Sequence, residues 1–514
     1  MANNINDALT GYDMVWAITQ DTLQSQLTWL FSMGFISNEV KFGNLDNDGL
    51  EFDGVIDQPD LIIANESSNA IAYFVVKFAS GKIKYYTGFG RNAKLEETNL
   101  TPDPNNIDQT TWKLAFKVQL NIALLAENYK DKKSIPPSIQ DKLSNFKSSD
   151  FTVKNIFLDF QNSDMTTYDE GLSNIPTSSS FLKSNFSGML GAWILDQQKT
   201  DNPYILGYTA DAPFNESSIF QPTGSTFSSH RFKPIAPENA GLSTLNFLLM
   251  TDGTTPSSQG GQFNYNLVES NEFSGTGLVA KEIVCSKWIE TQVLPALKHA
   301  IRGDGNWQRQ GEDVKWVYEF SPPDVKKTYK NADSGIVDVH ATYSSQTYAV
   351  AEIRQSITDS QGNSYPGIYI SGYYYYRADL EEKPLGIETT AWQYDKLPWE
   401  VKLFMKAGTN GKIQLWSETT KGNKDSGHDE SWLAEFADLF DGGYNSWLQS
   451  VDESYTSLSN NSFDSLTSYL HNTLSQLEQQ VILPAPSVFV YKDVSFTDEK
   501  NMKVHLSYNT QVSP

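Results

Sequence analysis

The residues best able to do chemistry are scattered along this chain in a way that matches none of the common catalytic centres. The six histidines, His230, His299, His340, His428, His471 and His505, form neither an HExxH pair nor the short spacing that holds zinc. No GxSxG elbow presents a serine nucleophile, and no GxxxxGK[ST] loop or strand-linked GxGxxG cradles phosphate. The one cysteine, Cys285, has no intramolecular disulfide partner and lies among Ile283, Val284 and Trp288, so it reads as a small buried hydrophobe rather than a reactive thiol. Asp46, Asp48, Glu51 and Asp53 supply oxygen ligands of the kind calcium favours, but the twelve-residue EF-hand order is missing. A hairpin turn with solvated acids is the expected reading there, with calcium the weaker candidate. Other carboxylates could act as a glycosidase acid and base only at a separation that a sequence does not fix. No catalytic residue, no cofactor and no enzymatic activity are therefore expected.

Charge narrows the partners. Lysine plus arginine number 39 against 62 aspartates plus glutamates, a formal charge of −23. Such a charge repels nucleic-acid phosphate and anionic lipid headgroups at long range, so nucleic acid is not an expected partner and a cationic surface is an easier one. No run approaches the roughly 18 apolar residues of a membrane span, which argues against an integral membrane protein. Met1 to Thr10 has neither a basic region nor an apolar stretch, so no signal peptide is expected and synthesis in a cytoplasm follows.

Any functional surface must be positioned by long strands and amphipathic helices. From Trp112 to Leu124 the apolar residues Trp112, Leu114, Phe116, Val118, Leu120, Ile122 and Leu124 alternate with the rest, which predicts a strand of roughly 40 Å with one apolar face. Tyr12 to Thr19 predicts a strand; Asp21 and Gln24 have capping-box spacing before a helix carrying Leu23, Leu27, Leu30 and Phe31, stopped at Gly34. Turn signals at Asn47-Asp48-Gly49 and Ser80-Gly81 separate strands at Leu50 to Ile56, Leu61 to Asn65, Ala70 to Ala79 and Lys82 to Thr87. Phe151 to Phe160 is another strand, between excursions at Lys130 to Ser149 and Asn162 to Ser187; Thr223 to Ser229 and Thr251 to Gly261 read as loops around the apolar run Leu242 to Met250.

A second helix is predicted from about Leu278 to Ile301, kinked or split by Pro295, and further strands at Val314 to Phe320, Ile336 to Tyr343, Thr347 to Ile357, Tyr365 to Arg377, Trp399 to Met405 and Ile413 to Ser417. Tyr373, Tyr374, Tyr375 and Tyr376 put aromatics on both faces of one strand, and with Trp432 and Phe436 of a short acidic helix they form the candidate interaction surface. A last helix, Asp464 to Ile482, carries Leu466, Tyr469, Leu470, Leu474, Leu477 and Val481 on one side. Pro484 and Pro486 end it, and two strands joined by a polar turn at Thr497 to Asn501 follow.

The order Ile482-Leu483-Pro484, Val488-Phe489-Val490-Tyr491-Lys492 and Phe496-Thr497-Asp498 resembles the C-terminus of the forty-seven-kilodalton protein family of clostridial OrfX-type neurotoxin clusters. Where that family usually carries a glycine pair after Leu-Pro, Ala485-Pro486 stands here. The opening Gly11-Tyr12-Asp13-Met14-Val15-Trp16-Ala17-Ile18 resembles the start of the same family.

The resemblance implies the α+β fold of the tubular lipid-binding (TULIP) superfamily, in which long antiparallel sheets wrap long amphipathic helices in an elongated body. Two such modules are expected, 1–275 with its polar excursions and 276–514 ending in the last helix and hairpin. It further implies a non-enzymatic accessory protein of a neurotoxin or insecticidal toxin cluster, released with a toxin if at all, whose partners are a lipid or other apolar ligand, or a toxin or sibling cluster protein. Trp112, Leu114, Phe116, Val118 and Leu120, with Leu470, Leu474 and Leu477 of the last helix, are the candidate apolar groove between helix and sheet. Fully packed core is the competing reading of the same residues.

Overall fold

A computed structural model describes residues 9–63, 71–88, 90–124, 152–201, 204–211, 220, 222–256, 261–301, 304–311, 314–330, 338–382, 389–408, 413–429, 481–482 and 489–508. Most of them lie in antiparallel strands. The chain divides into two units, one of residues 1–280, 476–492 and 504–514, the other of residues 281–475 and 493–503. Parts of the C-terminal stretch belong to the first unit, because the last strand described completes a sheet begun at Met14.

In chain order the strands up to residue 280 are β1 (Met14–Thr19), β2 (Glu39–Asn44), β3 (Leu50–Ile56), β4 (Asp60–Ile63), β5 (Ile71–Thr87), β6 (Lys94–Asn99), β7 (Lys113–Leu124), β8 (Thr152–Asp159), β9 (Ile205–Asp211), β10 (Gly224–His230), β11 (Thr244–Met250) and β12 (Gly275–Val279). They are followed by β13 (Asn306–Arg309), β14 (Lys315–Phe320), β15 (Val325–Lys330), β16 (Asp338–Thr358), β17 (Ser364–Glu382), β18 (Thr389–Ala407), β19 (Ile413–Lys421), β20 (Asp425–His428), β21 (Val481–Ile482), β22 (Phe489–Phe496) and β23 (Met502–Tyr508). The longer helices are α1 (Gln20–Ser32), α2 (Ser180–Asp201) and α3 (Leu294–Ala300).

One sheet of the first unit has the order β10-β11-β1-β12-β23-β22, so β12 lies between the first and last strands described. Every residue of β1 is buried, which explains its near-continuous apolar run. The Thr19 hydroxyl caps α1 by accepting from the Thr22 amide. That corrects the cap expected at Asp21. Gln24 does not close a capping box: its amide donates to the Pro59 carbonyl and its carbonyl accepts from the Leu61 amide, docking α1 against β4.

The second sheet runs β2-β3-β5-β7-β8-β9-β21, with β4 and β6 also paired to β5. Ser80-Gly81 is no turn but the middle of a 17-residue strand. Glycine is needed there for space, since a Cβ on Gly81 would come 2.7 Å from the Phe52 ring. A further correction is α2, which begins inside the stretch Asn162 to Ser187 expected to be a loop. Its Leu182, Phe186, Leu190 and Ile194 recur every four residues, all fully buried. Its serines turn inward to their own backbone, Ser184 donating to the Ser180 carbonyl and Ser187 to the Lys183 carbonyl, so a polar composition conceals a helix. Thr223 to Ser229 likewise yields β10, where Ser228 donates to the Gly261 carbonyl and receives the Asn246 amide.

The helix expected from Leu278 starts later, since Leu278 belongs to β12. Ile283–Val293 is a π-helix that passes directly into α3. The Leu294 amide reaches back five residues to the Ile289 carbonyl, and Pro295, with no N–H, stands at the junction. Arg309 ties this helix to β13 by bonding both oxygens of Glu282 at 2.8 and 2.9 Å, and the Trp316 indole donates to Glu290 at 3.0 Å. The sheet of the second unit runs β13-β14-β16-β17-β18-β19, with β15 on β16 and β20 on β18. Its central strands β16, β17 and β18 have 21, 19 and 19 residues, so the gap expected between Tyr343 and Thr347 does not exist.

Candidate functional site

The candidate groove begins at β7. Leu114, Phe116 and Val118 are wholly buried, Trp112 is 2% exposed and Leu120 is 7% exposed. Across the sheet Leu114 faces Val76, Phe116 faces Phe74, Val118 faces Ala72 and Leu120 faces Leu158. A helix does cover this region, but it is α2. The Phe186 ring lies 5.5 Å from Trp112, 5.3 Å from Phe52 and 5.4 Å from Phe78. Phe74 packs edge-on against Phe160 and Tyr204. Burial raises the Tyr204 and Tyr208 hydroxyls well above the ordinary tyrosine value, as expected of rings held in a dry core. Leu470, Leu474 and Leu477, which sequence places opposite β7, lie outside the described residues, as do Trp432 and Phe436. Val481 and Ile482, the end of that expected helix, form β21 against β9.

A cavity of about 180 Å³ in the first unit has a different character. It opens at the start of α1 and is lined by Thr19, Asp21, Thr22, Ser25, Asn271 and Tyr508 among others, so it is polar rather than apolar. Three of the four acids of the calcium candidate are engaged with neighbours instead of one another. Asp53 pairs with Lys41 at 3.1 Å, Glu51 with Lys84 at 3.7 Å, and the Asp48 carboxylate accepts from the Asn44 amide at 2.9 Å. Among the described residues no three acidic, histidine or cysteine side chains converge as a metal site would require.

The tyrosine run on β17 divides by parity. Tyr374 and Tyr376 are 0% and 2% exposed and belong to the core, which removes them from the candidate interaction surface. Tyr373 and Tyr375 are half-buried on the opposite face. Tyr373 stacks on Tyr348 of β16 with centroids 5.4 Å apart, while the Lys396 ammonium lies 4.2 Å from its centroid. Tyr375 stacks on Tyr394, Tyr394 on Trp392, and Arg377 stands 5.5 Å from the Trp392 ring while gripping Asp379. Farther along, Arg354 sits 3.6 Å above the Tyr369 ring. Burial and a hydrogen bond to Glu400 push the Tyr369 hydroxyl up to about 12. The face is thus a ladder of half-buried rings and cations across three strands. Sequence marked Tyr373 and Tyr375; Tyr348, Trp392 and Tyr394 were not singled out, because cross-strand register alone brings them together.

No protein-family model and no curated protein matches this chain. Solved structures do. P47 of Clostridium botulinum A2 aligns over 97% of this chain and 98% of its own, with a TM-score of 0.51 and 12% identity. P47 of Clostridium botulinum E1 aligns over 97% of this chain and 100% of its own, with a TM-score of 0.50 and 12% identity. A lipopolysaccharide binding protein aligns over 97% and 99% of the two chains but with a TM-score of 0.27 and 11% identity, from which no common fold is read. The chain has the fold of clostridial P47, the family its two termini resemble.

Proposed function

We propose that this chain is an accessory protein of the P47 kind, encoded in a toxin cluster, that works by binding a protein partner and not by catalysis. The observation that carries this reading is the half-buried ladder of Tyr348, Tyr373, Tyr375, Tyr394 and Trp392, already stacked without a partner present. Preordered tyrosine and tryptophan edges supply contact area at little entropic cost, which is why such residues dominate protein interfaces. The test is co-purification with the products of neighbouring genes, each produced separately. Capture should weaken by about tenfold or more when Tyr373 and Tyr375 are both changed to alanine. Capture that ignores the double substitution, or no capture by any neighbour, overturns the reading.

A second reading, a lipid or other apolar ligand held between sheet and helix as in the TULIP superfamily, draws on the P47 fold and the apolar face of β7. Against it stands the packing of Trp112 on Phe186. Native mass spectrometry of the purified chain distinguishes the two: a stoichiometric co-purifying lipid favours the ligand, and partner capture that survives lipid stripping favours the docking face.

A further inference from the structure

Strand β15 differs from the other strands of its sheet. Its sequence, Val325-Lys326-Lys327-Thr328-Tyr329-Lys330, is basic in a chain of net charge −23. One edge pairs with β16 from Val325 opposite Tyr343 to Lys330 opposite Asp338. The preceding strand β14 lies on the same edge of β16 and is itself covered by β13, whereas no described strand covers β15. Val325 is 48% exposed, and Lys326, Lys327 and Thr328 are exposed as well. The strand is nevertheless held firmly: the Tyr329 and Tyr343 hydroxyls share a hydrogen bond of 2.9 Å, and Thr328 bonds His340 at 3.2 Å.

Lys326 and Lys327 are unspent. Several other cations of this unit are engaged, Lys396 on Tyr373, Lys406 on Trp416, and Lys424 with Asp395 at 2.8 Å. Lys326 forms no ion pair among the described residues, and Lys327 has only a distant approach of 5.8 Å to the Tyr343 ring. Edge lysines commonly guard against pairing between copies. Here the net charge of −23 already opposes self-association, and a basic edge weakens that repulsion locally instead of adding to it.

We propose that β15 is a docking edge for an extended acidic segment of a protein partner, which would add as a further strand. Main-chain hydrogen bonds along the open edge would supply affinity, and carboxylates beside Lys326 and Lys327 would supply selectivity. The proposal rests on the reading that the chain acts by binding, but it concerns a different surface from the tyrosine ladder.

The test uses the full chain and two labelled peptides, one repeating Glu-Glu-Val-Val so that carboxylates stand on both strand faces and one repeating Lys-Lys-Val-Val, followed by fluorescence anisotropy and amide hydrogen exchange. The glutamate peptide should bind, more weakly as salt is added, and should slow exchange within Val325–Lys330; the lysine peptide should not bind. Lys326→Glu with Lys327→Glu should weaken binding by about tenfold or more. Both side chains are exposed, and circular dichroism confirms that the variant stays folded. Absence of binding overturns the proposal, as does binding without protection of 325–330 or binding indifferent to the double substitution. Salt-sensitive self-association through this edge with no peptide binding would assign it to a second copy and overturn it as well. Because the peptides are defined, failure here leaves the tyrosine-face reading standing, and failure of that reading leaves this one testable.

Discussion

Tyr373 owes its position to the glycine before it. At Gly372 a Cβ would come 2.6 Å from the Tyr348 carbonyl oxygen and would collide with the Trp399 indole, so this point of the sheet has no room for a side chain. Gly372→Ala should cost about 1–3 kcal/mol in chemical denaturation and should disturb the Tyr348–Tyr373 stack, seen as a change in near-ultraviolet circular dichroism. The tyrosines also set an alkaline limit. Burial raises the hydroxyls of Tyr318, Tyr373 and Tyr369 above the ordinary value of 10.0, so the folded chain keeps protons that the unfolded chain has released. That contribution to stability is complete below pH 10 and disappears as pH rises towards about 12, the value for Tyr369. A midpoint of urea denaturation that stays flat between pH 10 and 12 would contradict this. Burial is the larger cause at Tyr369, so Glu400→Gln should lower its titration only in part, as read by tyrosinate absorbance.

At the scale of elements, Phe186 is the ring on which the first unit's helix and sheet converge, touching Phe42, Phe52, Phe78 and Trp112. Phe186→Ala should therefore destabilise by about 3–5 kcal/mol, against a few tenths for the exposed Asn185→Ala, measured by denaturant titration. The contrast also shows what was legible from sequence. β7 was, because period-two alternation over its 12 residues has no helical equivalent, and so was β1 followed by α1. α2 was not, because its serines and Asn185 suggest a loop while their hydrogen bonds lie within the helix. The continuity of β5 through Ser80-Gly81 was hidden too, since a glycine that makes room for a ring and a glycine that makes a turn look alike in sequence. Of the candidate surface, alternation along β17 indicated that tyrosines would occupy both faces, while the side each faced and its partners on β16 and β18 depended on register.

For the molecule as a whole, the far C-terminus belongs to the core of its beginning. Ser274 donates its amide to the Leu506 carbonyl and accepts the Tyr508 amide on its hydroxyl, and a Cβ at Gly277 of β12 would collide with Trp16 and Val504 on either side. Deleting residues 489–508 should strip β12 of its neighbour and promote aggregation, checked by size-exclusion chromatography of the truncated protein beside the full chain. The same arrangement sets a clock. During synthesis β12 emerges roughly 220 residues before β23, the strand that pairs beside it, a delay on the order of ten seconds or more at ordinary elongation rates. Through that interval the nascent chain carries an open, apolar sheet edge, which gives a chaperone, or a co-expressed partner, something to hold.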